Sequence, residues 1–310
     1  MKIHLGFQLH PQHATWAELR DGALLVEELG FDSLWTWDHF VPLLGDASGP
    51  SFEGWQLLPA WGAITKRVQI GMLVTGNTYR HPAVLAKMVA TLDHITAGRA
   101  LLGIGAAWHE DEHRMYGIEF RGPGWRLARL AEAVPIMRSL LDEPRTTFEG
   151  KHYTITDARC EPKPVQKRLP ILVGGGGEQK TLRITARWAD MWHGFGTPDV
   201  IAHKIGVLRR HCAEVGRDPG EITLTTGGGV IVRKDRSAID RRIREVRERS
   251  RVTGAYAPFS GTPDEVAKRL ADHWRAGIRG FIFGCPPPVD RETIELMMSD
   301  VRPRLEALVA

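Results

Sequence analysis

The segment PILVGGGGEQKTLRITARW, Pro170 to Trp188, decides how the rest of the chain is read. An apolar run of strand length, Pro170 to Val173, passes directly into Gly174, Gly175, Gly176 and Gly177, and Glu178 to Trp188 follows as a helix. Glycines let the backbone approach a ligand closely, and a helix start presents unpaired N–H groups at its positive end. The turn therefore suits an anionic cofactor group, and it equally suits a tight barrel turn. Neither the Gly-Lys-Ser/Thr of a phosphate loop nor the spacing of a dinucleotide fingerprint is present.

The same alternation continues in both directions. Toward the amino terminus, the expected strands are Ile3 to Leu9, Ser33 to Trp37, Val68 to Thr75 and Ala100 to Ala106. Helices are expected over Trp16 to Leu29, Trp55 to Ile64 and Pro82 to Ile95, and around the stripe Leu127, Leu130, Ala131, Val134 and Met137, with Pro135 as a potential kink. Toward the carboxyl terminus, strands are expected at Asp190 to Phe195, Ile222 to Val232 and Gly280 to Gly284. Their helices are Val200 to Val215, Pro263 to Ala276 and Thr293 to Leu308.

Eight strand-helix units predict an α/β fold of the (β/α)8 TIM-barrel type, with its ligand site at the carboxyl ends of the strands. A doubly wound sheet shares this alternation, because periodicity does not prove closure. Residues 1–310 are read as a single barrel domain. Arg233 to Pro258 form a charged insertion after the seventh strand, too short to bury a core of its own and expected as a helical excursion near the active face.

Composition narrows the partners. The chain has 41 Lys and Arg against 37 Asp and Glu, a net charge of +4, and a pI near 9.0. That excess is small for nucleic acid and suits a small polyanion. Cys160, Cys212 and Cys285 are widely spaced, so neither a disulfide framework nor a zinc ribbon is expected. Met1 to Leu9 reads as a first strand rather than a signal peptide, and no apolar tract reaches membrane-spanning length. A cytoplasmic protein without membrane or nucleic-acid partners is expected.

Candidate chemistry clusters at strand ends. Trp35, Trp37 and His39 share one face of the second strand, and Asp38 is placed to orient the segment. An imidazole at such an end can exchange a proton near neutral pH. The bland alternative is a helix cap and a surface histidine. After the fourth strand come Trp108, His109, Glu110, Asp111, Glu112 and His113. His109 and His113 are half of a zinc motif and lack a third ligand, so no metal is expected. The third strand leaves through Val74, Thr75, Gly76 and Asn77. The nucleophile elbow of acyl-transfer enzymes is absent.

These motifs together resemble the luciferase-like monooxygenase superfamily, in its branch of coenzyme F420-dependent oxidoreductases. The resemblance covers nearly the whole chain. It rests on Trp37-Asp38-His39-Phe40, Tyr79-Arg80-His81-Pro82, Leu92 to Arg99, Gly103 to Trp108, Arg129-Leu130-Ala131-Glu132 and Pro170 to Gly177, with Gly261-Thr262-Pro263 and Gly280 to Gly284 closest to the F420 branch.

The resemblance implies a bacterial-luciferase-like barrel that transfers a hydride between the deazaflavin and a small organic substrate. His39 is then the proton-handling catalytic residue, with Glu110 as a second candidate and Glu112 as either an acid or a structural cap. Trp37, Asp38, Val74, Thr75, Gly76, Asn77 and Gly174 to Gly177 would contact cofactor, and Trp37 and Trp108 would shape the substrate pocket. A cis peptide is implied around Val74, Thr75 or Gly76, and a homodimer is implied by relatives. The acidic F420 tail would lie near the insertion or near Lys180 and Arg183. Alternatives are a reduced-FMN monooxygenase and a non-catalytic flavin-binding protein. One departure stands out: Ala106-Ala107-Trp108 occupies the place where alcohol- and sugar-oxidising relatives carry a glutamate, so sugar-phosphate oxidation does not carry over.

Overall fold

Eight parallel strands close on themselves, and the closing pair is made by a contact of only two residue pairs. The computed structural model describes residues 3–250 and 259–310. Its strands are β1 (His4–Leu9), β2 (Ser33–Thr36), β3 (Gln69–Met72), β4 (Thr75–Gly76), β5 (Ala100–Gly105), β6 (Thr146–Glu149), β7 (Thr154–Ala158), β8 (Ile171–Gly174), β9 (Met191–His193), β10 (Thr223–Gly229) and β11 (Gly280–Cys285). The barrel runs β1-β2-β3-β5-β8-β9-β10-β11 and back to β1. Closure across β3 and β5 uses only the pairs Ile70 with Ala100 and Gly71 with Leu101. The expected barrel is therefore present, and the doubly wound alternative is not.

Helices α1 (Trp16–Glu28), α2 (Gly54–Ile64), α3 (Pro82–Ile95), α4 (Glu110–Met115), α5 (Pro123–Asp142), α6 (Thr181–Trp188), α7 (Pro198–Glu214), α8 (Arg236–Ser250), α9 (Pro263–Arg275), α10 (Arg291–Leu296) and α11 (Arg302–Val309) accompany the strands. Local chemistry sets several starts: Thr15 with Glu18 and Thr262 with Glu265 make reciprocal capping boxes at α1 and α9. Pro135 sits inside α5.

Two cores result. Trp35, Leu101, Leu172, Met191 and Ile282 fill the barrel interior, while a larger apolar layer lies between strands and helices. Trp35 occupies the interior because its neighbours are bare: a Cβ on Gly71 would sit 2.5 Å from its indole.

Four local expectations change. The third strand breaks after Met72, where the Leu73–Val74 peptide is cis, and resumes as β4 against β5; the cis bond implied by the resemblance lies here. Helix α6 begins at Thr181, not Glu178, because residues 178–180 complete the turn out of β8. The antiparallel hairpin β6–β7 was not anticipated. Thr293 to Leu308 is not one helix, since a π turn at Met297–Val301 separates α10 from α11.

The charged insertion is helical where described, as α8, and its residues 251–258 lie outside the described part. Arg233 is buried and pairs with Asp290 at 2.9 Å and Glu292 at 3.0 Å, and Arg242 reaches Asp290 at 3.1 Å. These two arginines fasten the insertion to the segment after β11. Among the described residues, no helix is long and apolar enough to cross a membrane.

Candidate active site

At the carboxyl ends of the strands lies a cavity of about 500 Å³. Its walls come from every barrel strand or the loop after it: Gln8 from β1, His39 after β2, Val74 to Gly76 after β3, Gly105 to Trp108 from β5, and Gly174 and Gly175 from β8. His193, Gly228 and Ile282 complete the ring from β9, β10 and β11.

The β2 wall holds the expected row. Trp37 is buried with its ring stacked on His10 at 4.1 Å and 29°, and it lines the cavity. His39 continues the same face, and its Nδ1 lies 2.8 Å from Glu112 Oε2. That carboxylate is fully buried. It also accepts from Tyr79 Oη at 2.5 Å, from Val41 N–H at 3.2 Å and from Phe40 N–H. Burial alone would raise the Glu112 carboxyl; the hydrogen bonds from His39 and Tyr79, the charge on His39 and the Phe40 N–H outweigh it and bring it down to about 2. Glu112 is thus an anion across the working pH range. With Nδ1 held against that anion, His39 turns its other ring nitrogen away from Glu112.

Asp38 also lines the cavity, but its carboxylate is engaged within the protein. Arg80 Nη1 holds it at 2.7 and 2.9 Å, and Gly76 N–H donates to it at 3.0 Å. Burial pushes its carboxyl up to about 6 against the pull of Arg80. Asp38 therefore ties the β2 end to the β4 bulge.

The bulge itself is packed by bare backbone. Cβ atoms on Gly105 and Gly174 would each lie 2.9 Å from a Val74 methyl, so these glycines admit the bulge into the mouth. Gln8 Nε2 donates to Leu73 O at 2.9 Å from beneath. Asn77, expected at the cofactor, is buried behind the wall: its N–H donates to Gly105 O at 3.0 Å and its amide lies 3.4 Å from Tyr153 Oη.

The glycine quartet divides. Gly174 and Gly175 line the cavity, while Gly176 and Gly177 are exposed in the turn beyond it. Gly175 has φ +119°, a conformation open to glycine, and a Cβ on Gly177 would lie 2.8 Å from Thr181 Oγ1. This is a cradle that side chains would fill. The Thr181 hydroxyl and the Lys204 stem border it, the Lys204 ammonium being paired with Glu178 at 2.5 Å, and the bare backbone with that hydroxyl fits a phosphate.

Glu110 is a correction. It is exposed at the first position of α4 and does not line the cavity, whereas Glu112, two residues later, turns inward to His39. His109 and His113 do not converge either. His109 Nδ1 caps α4 by accepting from Glu112 N–H at 3.2 Å, and His113 Nε2 meets Thr78 Oγ1 at 2.6 Å. Trp108 is at the rim, 64% exposed, with its ring 5.5 Å from His39.

Reading by motif missed Tyr79, Thr181 and His193. The last was within reach: Met191, His193 and Phe195 alternate along the sixth strand, and the first of them is already in the barrel core.

The model of the family described as luciferase-like monooxygenase matches residues 1–260. The chain belongs to this family. Within the family, the chain is 36% identical over 228 residues to the F420-dependent glucose-6-phosphate dehydrogenase of Kineococcus radiotolerans, a match spanning 72% of this chain and 66% of that enzyme. The enzyme of the same name from Nakamurella multipartita is 29% identical over 99% of this chain and 98% of its own length. Among solved structures, an F420-dependent secondary alcohol dehydrogenase, in complex with an F420-acetone adduct, superposes with a TM-score of 0.85 at 23% identity. That superposition covers 98% of this chain and 99% of the other. At that identity the likeness concerns the fold.

Proposed function

We propose that this family member is a coenzyme F420-dependent oxidoreductase acting on a small organic substrate. The observation that carries the reading is the His39–Glu112 pair, placed at a barrel mouth whose floor is the Val74–Gly76 bulge. The similarity to F420-dependent enzymes of two organisms supports F420 over FMN. A cytoplasmic homodimer without nucleic-acid or membrane partners completes the reading, and light scattering tests its assembly.

When bound, the deazaflavin supplies the carbon that gives or takes the hydride. The Gly175–Gly177 cradle and Thr181 would hold its phosphate, and Val74, Thr75, Gly76, Gly105 and Gly174 would face its ring. The chain's own work is positional and protonic. Glu112 fixes the His39 ring and compensates positive charge on it. His39 takes the proton of a substrate hydroxyl, or returns one to a carbonyl oxygen, at the nitrogen facing the cavity. Trp37 and Trp108 close the apolar side and limit water around that exchange.

Fluorescence titration with F420 and with FMN tests the reading. Saturable F420 binding with negligible FMN binding is expected. Selective FMN binding with FMNH2-dependent oxygen consumption would overturn it in favour of a flavin monooxygenase. His39→Ala is expected to lower kcat by about 10²- to 10⁴-fold while F420 affinity holds.

A further inference from the structure

Opposite His39 stands a second histidine that the mechanism does not use. In the closed order of eight strands β2 is second and β9 sixth, so His39, after β2, and His193, on β9, line the cavity from opposite sides. His193 is 2% exposed and lines the cavity. Its Nδ1 lies 3.0 Å from Thr225 Oγ1, and that hydroxyl spends its one hydrogen on Trp192 O at 2.8 Å. Thr225 can then only accept, so Nδ1 carries the ring hydrogen and Nε2 presents a bare lone pair. Nε2 is buried and has no hydrogen-bond partner in the protein. Burial lowers the ring to about 3, which keeps it neutral.

A buried acceptor without a protein partner calls for an explanation, and here the residue lines the cavity, where a ligand can supply the missing donor. The rest of the wall says what kind of ligand. Among the described residues, no Lys or Arg lines the cavity, and Leu43, Ile282, Trp108 and Phe195 give it an apolar rim and side. A phosphate or carboxylate set against His193 itself would face the Nε2 lone pair with no lysine or arginine among the described lining residues to offset it.

We propose that His193 Nε2 is a binding site for an uncharged N–H or O–H donor of the ligand held in the mouth, selecting a neutral head over an anionic one. The proposal rests on reading this mouth as the cofactor and substrate site. Two donors share that chemistry: the lactam N–H of the deazaflavin ring and the hydroxyl of a neutral alcohol substrate.

Full-length protein labelled with [15N]histidine separates them, the Nε2 signal of His193 being identified by its loss in His193→Gln. An upfield shift of this signal on adding F420 assigns the donor to the cofactor. A shift only when cyclohexanol is added to the F420 complex assigns it to the substrate. His193→Leu is expected to weaken the corresponding ligand about tenfold, and His193→Gln, which restores an acceptor oxygen, to recover most of the loss. Should the Leu variant fold poorly, the shift and the Gln variant carry the test. A signal unmoved by saturating F420 and by cyclohexanol, with unchanged affinities, overturns the proposal. So does a comparable shift with inorganic phosphate, which would remove the preference for a neutral head. If wild-type protein does not bind F420, the F420 reading fails by itself; the series repeated with FMN, which carries the same lactam N–H, then decides His193 separately.

Discussion

His39, beyond the end of β2, and His193, at the end of β9, are the same residue on opposite sides of one cavity, and their surroundings differ. His39 has a buried carboxylate at 2.8 Å, so a positive ring there is compensated. His193 has a hydroxyl at 3.0 Å and an apolar wall, and burial holds it near a pKa of 3. The first has an anion against its ring, and the second has a buried Nε2 that can only accept a hydrogen bond. Different elements supply the difference: Glu112 reaches His39 from helix α4 after β5, and Thr225 reaches His193 from the neighbouring strand β10. On the function proposed above, the barrel mouth is divided into a protonic wall and a neutral wall.

Removing the compensation is the strongest way to break this contrast. Glu112→Ala strips partners from His39, Tyr79 and two backbone N–H groups at once. A stability loss of about 3 to 5 kcal/mol is expected, measured by chemical denaturation. Glu112→Gln keeps the shape and an acceptor oxygen while removing the charge. Its expected signature is a lower kcat with KM and F420 affinity held, which marks a positioning residue; a loss confined to stability would leave Glu112 as a structural cap. The same anion predicts acid behaviour. Its folded pKa lies below the unfolded value, so its stabilisation is full above about pH 4.5 and lost as pH falls toward 2.

The neutral wall has its own acid signature, in a different window. His193 is depressed from 6.5 to about 3, so below pH 6.5 the unfolded chain takes up a proton that the folded chain refuses. Stability is then highest above pH 6.5 and falls progressively toward pH 3. His193→Gln removes this term, and between pH 7 and pH 5 it is expected to lose about 2 kcal/mol less than wild type in denaturant melts. His10, also lowered to about 3 by burial, keeps its own slope in both proteins. Parallel pH curves for the two proteins would show that His193 accepts a proton in the folded state, and the contrast with His39 would collapse.

How far the sequence carried this division depends on the kind of signal. Strand and helix periods repeat over many residues, so all eight units and the inward row Trp35, Trp37, His39 were legible. Short features were not. The β6–β7 hairpin alternates only over Thr146–Glu149 and Thr154–Ala158, with one face exposed. The glycine quartet gave a true turn, yet only tertiary placement separates Gly174 and Gly175 in the cavity from Gly176 and Gly177 outside it. Asn77 looked like its neighbours Thr75 and Gly76, but β4 ends before it and its amide turns away from the mouth.

Glu110 supplies the smallest expected effect and the sharpest check on which carboxylate serves His39. Both glutamates belong to one short helix, α4, capped by His109. A helix advances about 100° per residue, so two positions apart they face nearly opposite ways. Packing of Glu112 against His39 and Tyr79 fixes that rotation and sends Glu110 into solvent. An exposed carboxylate in a first turn gains only about 0.3 to 1 kcal/mol from the helix dipole. Glu110→Ala is therefore expected to shift stability by no more than that and to leave kcat within about twofold of wild type. Steady-state kinetics with F420 saturating measures it. A kcat loss comparable to that of Glu112→Gln would mean that α4 turns during turnover and that the protonic wall is built by Glu110 instead.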